Sequence, residues 1–310
     1  MSAQARTVLL TGASGFVGRP ALQALLTAGF EIHAVSRSIP SHIPSGARWH
    51  NADLLDANAR RELFAQTRPT HLLHLAWYVE HGKFWTAPEN GDWRDASLDL
   101  LRLFGEYGGQ RALLAGSCAE YDWTRESDTP LRETDPCKPG TPYGRAKLAL
   151  FEGGTAIAAR AGFSVGWARF FLMFGVGEDP RRLIPSMMRG LLAEAPIALT
   201  SGRQIRDFLD TRDIGDALAA LLQSEVEGAV NVASGRAVSL REVGEMLAAI
   251  AARDKNLLQF GALPDREGEP KSLVADITRL AKEIAFTPAR TLEQRLAECL
   301  QWHRQNMQNA

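Results

Sequence analysis

The chain has 310 residues, with 35 lysines and arginines against 36 aspartates and glutamates, a net charge of −1 at neutral pH. Proteins that track phosphate backbones carry a basic surplus or basic runs, which excludes nucleic acid as the main partner. With 45% hydrophobic and 23% charged residues a sizeable core is expected, and no stretch approaches the roughly 18 apolar residues of a membrane span.

From Thr7 onward, TVLLTG, EIHAVS, THLLHLA and RALLAGS are continuous apolar runs of strand length, the pattern of strands buried on both faces. Between them, Val17 to Leu26, Ala57 to Phe64 and Ala96 to Phe104 carry apolar residues at helical spacing. Strand and helix in alternation predict a parallel sheet with right-handed crossovers, a doubly wound α/β fold of Rossmann type. FSVGWARFF continues it after Gly162; residues 178 to 206 then bring Pro180, Pro185 and Pro196, and GAVNVAS is strand-like again. Two parts are expected: residues 1–174 with about 207–235 as a dinucleotide-binding domain, and about 175–206 with 236–310 as a smaller C-terminal α/β substrate-binding domain.

Cys118, Cys137 and Cys299 are too few and too scattered for a disulfide framework or a metal cage, so no metal is expected and the thiols are read as reduced. The N-terminal MSAQARTVLLTGASG runs straight into a strand pattern with no small-residue cleavage site, and a cytoplasmic location is expected.

Thr11-Gly12-Ala13-Ser14-Gly15-Phe16-Val17-Gly18 joins the first strand to the first helix. Glycines at this spacing let backbone approach a pyrophosphate, whose charge meets free N–H groups at the helix start. Gly12, Ser14, Gly15, Phe16, Val17 and Gly18 are therefore candidate cofactor residues. An acidic residue ending the second strand would take the 2′-hydroxyl of NAD; here Ser36 and Arg37 stand instead and suit a 2′-phosphate, favouring NADP (as NADPH) with NAD as the alternative. Asp53 is placed to touch the adenine or to cap the following helix.

Tyr143 and Lys147 in TPYGRAKLAL are four apart and share a helix face. A phenol is too weak an acid for proton transfer at neutral pH, and a neighbouring ammonium would bring it into range. Ser117, ending RALLAGS, offers a hydroxyl to the same substrate oxygen.

Taken in order, TGASGFVG, Asp53, His74-Leu75-Ala76, GSCAEY, Tyr143 with Lys147, PRRLIP, RDFLDTRDI, NVASG and DREGEP resemble the extended short-chain dehydrogenase/reductases, specifically the NAD(P)-dependent epimerase/dehydratase group acting on nucleotide sugars. The resemblance implies that Ser117 hydrogen-bonds the substrate oxygen, Tyr143 passes the proton, and Lys147 holds the nicotinamide ribose. It adds Leu54, Leu75, Ala76, Trp77 and Phe170 to the cofactor residues, and Cys118, Trp77 and Leu172 to the substrate residues. Arg206 and Arg266 would take the substrate diphosphate, and a homodimer would form through the Tyr143 helix and its neighbour.

Family members that dehydrate the sugar carry an acidic pair after the serine or threonine. Here Cys118-Ala119 stands in that place, which argues against a 4,6-dehydratase. Glu120 is read as a local structural or substrate contact. Trp93 and Leu172 replace asparagines that relatives carry. Trp77, Tyr78, His81, Lys83, Phe84 and Trp85 form an aromatic and polar stretch that suits either sugar contact or satellite packing. The leading expectation is an NADPH-dependent reductase of a nucleotide-linked keto-sugar, a 4-keto-6-deoxyhexose first. The alternative is an epimerase that retains its dinucleotide, ahead of a small-ketone reductase and a non-catalytic NADP-sensing protein.

Overall fold

In chain order the elements are β1 (Thr7–Thr11), α1 (Gly18–Thr27), β2 (Glu31–Ser36), β3 (Ala47–Asn51), α2 (Ala57–Thr67), β4 (His71–His74), α3 (Glu89–Glu106), β5 (Arg111–Ser117), α4 (Pro142–Ala161) and β6 (Ser164–Phe170). There follow β7 (Leu172–Phe174), α5 (Leu183–Leu192), β8 (Ile197–Leu199), β9 (Ile205–Arg206), β10 (Phe208–Asp210), α6 (Thr211–Gln223) and β11 (Gly228–Val232). The chain closes with β12 (Val238–Ser239), α7 (Leu240–Ala251), β13 (Leu258–Phe260), β14 (Ser272–Leu273), α8 (Thr278–Lys282) and α9 (Leu292–Met307). The computed structural model describes residues 6–40, 45–125 and 129–307. Residues 1–5, 41–44, 126–128 and 308–310, which the two expected domain ranges include, lie outside the described residues.

The apolar runs pair in parallel as one seven-stranded sheet in the order β11-β6-β5-β4-β1-β2-β3. This is the doubly wound Rossmann-type α/β fold expected from the alternation. Strand order reverses between β1 and β4, and ligands of such sheets bind beyond the carboxyl ends of the strands at that reversal. One face is covered by α1 and α6, where Leu22, Leu25, Leu218 and Leu221 join Leu10 and Leu73. The other is covered by α2, α3 and α4, where Phe64, Leu101, Phe104 and Leu150 join Leu9, Leu72 and Leu114. Both faces buried is the reason these strands, apart from the half-exposed edge strand β3, read as continuous apolar runs.

A second core gathers Met187, Met188 and Leu191 of α5, Val243 and Leu247 of α7, and Leu296 and Leu300 of α9, beside the parallel pair β8–β13. This cluster is separate from the two that cover the sheet. Within the range that the sequence reading gave to the second part, α8 lies against β11, and Ile277, Leu280, Ile284 and Phe286 join the α1/α6 core. Their apolar side chains are buried by returning to the sheet.

The start of α4 fixes the position of the chemistry. Thr141 caps the helix by accepting the Gly144 N–H at 3.1 Å, and Pro142 sits in the first turn, where its missing N–H costs nothing. A Cβ on Gly144 would stand 2.3 Å from the Ala119 carbonyl oxygen. Glycine thus lets the first turn of α4 rest directly on the turn after β5, bringing Tyr143 to Ser117.

Candidate active site

The loop from β1 to α1 is folded tightly on itself. Gly12 has φ +69°, and a Cβ on Gly18 would stand 2.0 Å from the Gly12 carbonyl oxygen. Helix α1 begins without a side-chain cap and without an acidic residue in its first turn. The Ala13, Gly15 and Arg19 N–H groups are taken by the Val35, Gly12 and Gly15 carbonyls, while the uncapped helix start presents its positive end at the place where the sequence reading put a dinucleotide pyrophosphate on Gly12, Ser14, Gly15, Phe16, Val17 and Gly18.

Beside this loop a hydrogen-bond chain ties β1 to β4 and α3. The Thr11 hydroxyl oxygen accepts the N–H groups of Leu75 and Ala76, each at 3.2 Å. Its proton therefore points to His74 Nδ1 at 2.7 Å, which leaves His74 Nε2–H to donate to Ser97 Oγ at 2.8 Å; Ser97 donates to the Trp93 carbonyl at 2.6 Å. That order requires a neutral imidazole. Burial, followed by the charge of Lys147, pushes the His74 pKa down to about 3.

At the 2′ end, Ser36 is buried and donates to the Ser38 carbonyl at 2.7 Å, while Arg37 is exposed and in no ion pair among the described residues. Asp53 is exposed and accepts the Leu55 N–H at 3.0 Å. The cap of α2 is Asp56, which accepts from Asn58, so the capping role weighed for Asp53 belongs to Asp56. Leu54 is buried under α2 and α3, Leu75 and Ala76 are half-buried just after β4, and Phe170 is buried at the end of β6.

Ser117, Tyr143 and Lys147 come together. The Ser117 side chain engages the Tyr143 phenol and draws its pKa down, but burial is the larger effect and the phenol is raised overall. The expected lowering of Tyr143 by Lys147 is not seen. Lys147 Nζ donates to the Ala115 carbonyl at 2.9 Å, and its distance to the Tyr143 ring centroid is 5.9 Å. Burial pushes Lys147 down to about 7, against a smaller opposing pull from Glu120.

The turn after Ser117 is built on a buried ion pair that the sequence reading missed. Glu120 is fully buried; its carboxylate accepts the Ser117 N–H at 2.7 Å, Trp167 Nε1 at 3.0 Å and Arg169 Nε at 2.8 Å. Burial raises its pKa, with Arg169 and these donors opposing. Glu120 is thus a structural anchor. Cys118 is buried, with its thiol pushed up to about 12 by burial, and it packs with Tyr121, Phe171 and Leu273. The signal for the ion pair was an arginine inside the apolar run SVGWARFF, since an arginine buried in a strand needs a partner.

The aromatic stretch packs around the tyrosine. Phe84 and Trp85 meet the Tyr143 ring edge-on at centroid distances of 5.0 and 5.6 Å, and Trp77 meets it at 6.4 Å. Trp93 is buried beside Trp77. Tyr78 and Lys83 instead engage Glu80 at the surface.

The arginines expected on the diphosphate sit differently from each other. Arg206 is buried, donating to the carbonyls of Ile205 and Pro270 and to Glu269 at 2.6 Å. Arg266 is exposed on the loop between β13 and β14 that also carries Glu269. An anion at Arg206 would have to replace Glu269. Leu172 is half-buried on β7 between two apolar clusters. Among the described residues no group of three or more His, Cys, Asp or Glu is placed to hold a metal ion, and no helix is long and apolar enough to cross a membrane.

Residues 8–233 match the model of the NAD dependent epimerase/dehydratase family. The UDP-glucose 4-epimerase of Streptomyces lividans is 25% identical over 95% of this chain and 95% of its own. A structure described as MoeE5 in complex with UDP-glucose and NAD is 30% identical, covers 97% of this chain and 99% of its own, and superposes with a TM-score of 0.84. The UDP-glucose 4-epimerase of Thermotoga maritima, solved with UDP-glucose, shares the fold at a TM-score of 0.87 and 21% identity, over 97% of this chain and 99% of its own. With the phosphate loop, the Ser/Tyr/Lys site and these matches in agreement, the chain belongs to the NAD dependent epimerase/dehydratase family.

Proposed function

We propose that the protein is a nucleoside-diphosphate-sugar epimerase, acting at C4 of the sugar and keeping its nicotinamide dinucleotide through the cycle. The observation that carries the reading is the convergence of Ser117, Tyr143 and Lys147 beside an uncapped phosphate loop, in a chain without the acidic pair of the dehydratases. Relatives described as UDP-glucose 4-epimerases support inversion over net reduction. The NADPH-dependent reductase expected first from the sequence becomes the second reading, supported by Ser36 and Arg37 alone.

When bound, the oxidised nicotinamide supplies a hydride acceptor and a positive charge. The chain's residues supply the rest. Tyr143 exchanges the proton of the sugar hydroxyl, with Ser117 orienting the same oxygen. Phe84 and Trp85 keep water from the Tyr143 ring. Lys147 would hold the nicotinamide ribose, and the amides of Gly12 to Gly18 the pyrophosphate. Arg266, together with Arg206 once Glu269 gives way, suits the substrate diphosphate.

For the cofactor we put NAD first, following the solved neighbours, with NADP the alternative that Arg37 supports. Mass spectrometry of the dinucleotide released from denatured protein separates the two, and protein purified without any bound dinucleotide contradicts retention. We also propose a homodimer through α3 and α4; sedimentation at a single protomer mass contradicts it.

A further inference from the structure

Lys147 is 4% exposed and, among the described residues, in no ion pair, an unusual position for an ammonium. Among those residues its Nζ meets the Ala115 carbonyl at 2.9 Å and the face of the Trp77 indole, whose centroid is 3.7 Å away. The indole is itself held. Its Nε1–H donates to Asn90 Oδ1 at 2.8 Å, and Asn90 Nδ2 donates to the carbonyls of Phe84 and Ala87 at 2.7 and 2.9 Å. Trp77 and Asn90 are both buried, so this scaffold is locked by packing as well as by hydrogen bonds.

An ammonium has three N–H donors. The carbonyl occupies one and the indole face engages a second, which leaves one. We propose that Trp77 is a positioning residue for Lys147: its π-face, set by Asn90, stands in for a counter-ion and turns the remaining N–H toward the dinucleotide site. An aromatic face attracts a cation without offering a lone pair, so it stabilises the charge while leaving the third donor unclaimed. The last clause of the proposal rests on the function proposed above; the cation–π contact does not.

The charged and titratable groups around Lys147 are few. His74 from β4 is neutral, Glu120 after β5 is paired with Arg169 of β6, and Tyr143 shares α4. Trp77 is thus the partner whose electron density can be varied without altering any charge. Fluorine on an indole withdraws density from the face with little change of shape, which disfavours the charged lysine and lowers its pKa.

The test is a ¹³C-lysine titration of the full chain, without substrate or added cofactor, with tryptophan of increasing fluorine content placed site-specifically at position 77. Lys83, Lys138, Lys147, Lys255, Lys271 and Lys282 are the lysines to resolve, and Lys147→Arg assigns the signal. The expected result is a Lys147 midpoint near neutrality that falls stepwise with fluorine number, by about one unit across the series, while the other five stay fixed. A midpoint unmoved by fluorine overturns the proposal. Because no turnover is read, failure of the epimerase reading leaves the result intact, and a stepwise shift in a protein that turns over no sugar nucleotide would refute only that reading.

Discussion

Lys147 and Tyr143 stand one helical turn apart, yet burial moves their pKa values apart: it lowers the ammonium to about 7 and raises the phenol. Both shifts favour the neutral forms, so the site rests with a protonated tyrosine, and charge is needed to release that proton. Removing the hydroxyl tests the role directly. Tyr143→Phe should lose about 10²- to 10⁴-fold in turnover while keeping its bound dinucleotide; undiminished turnover in a steady-state assay would remove Tyr143 from the chemistry. Glu178 is a second residue whose titration reports its surroundings. Burial, opposed by Arg182, pushes its pKa from 4.5 to about 8, and its Oε2 has no hydrogen-bond partner among the described residues. The folded state therefore holds this proton more tightly than the unfolded one. The stability it contributes is complete below pH 4.5 and is lost as pH rises through about 8. Glu178→Gln should have a thermal midpoint that gains on the parent across that window. A gap that stays constant from acid to alkaline pH would contradict the assignment.

The elements around the site are fastened by close backbone contacts and by ion pairs. Loop and helix meet so tightly at the start of α1 that Gly18→Ala would drive a methyl into the Gly12 carbonyl. Dinucleotide retention should fall at least about tenfold, the equivalent of about 1.4 kcal/mol, as read by absorbance of the purified protein; unchanged retention would mean that the loop does not hold the pyrophosphate. Strands β5 and β6 are fastened by Glu120 and Arg169. Glu120→Gln leaves a buried guanidinium uncompensated and should cost about 3–5 kcal/mol in urea unfolding. A loss within 0.5 kcal/mol, the usual range for surface changes, would show that the pair is dispensable. In the sequence these two residues lie 49 positions apart, and nothing local joins them. Arg169 inside an apolar strand and His74 inside THLLHLA announced that partners must exist, but only the parallel register of β5 with β6 and of β1 with β4 identifies them. The same holds for Trp77. Its place after β4 was legible, whereas its stacking on Lys147 depends on how the 77–90 segment folds back through Asn90.

At the scale of the molecule, the sheet was legible because its strands other than the edge strand β3 are buried on both faces and helices alternate with most of them. The second part was less so. Its strands are two or three residues long, too short for periodicity to register, and its core is assembled from helices far apart in sequence. The net charge of −1 conceals how charge is deployed: Arg206 is buried against Glu269, and Arg37 and Arg266 stay exposed. The epimerase proposed above would run redox chemistry that cancels within one turnover. That claim is tested most directly by ¹H NMR of UDP-glucose, UDP-N-acetylglucosamine and UDP-glucuronic acid incubated with the protein in deuterated buffer, with no dinucleotide added. The account predicts that the C4 epimer of at least one sugar accumulates to equilibrium, with no deuterium at C4 and no net change in nicotinamide absorbance. Absence of any epimer, with NADPH consumed mole for mole when a keto-sugar nucleotide is supplied, would contradict it and return the protein to the reductases.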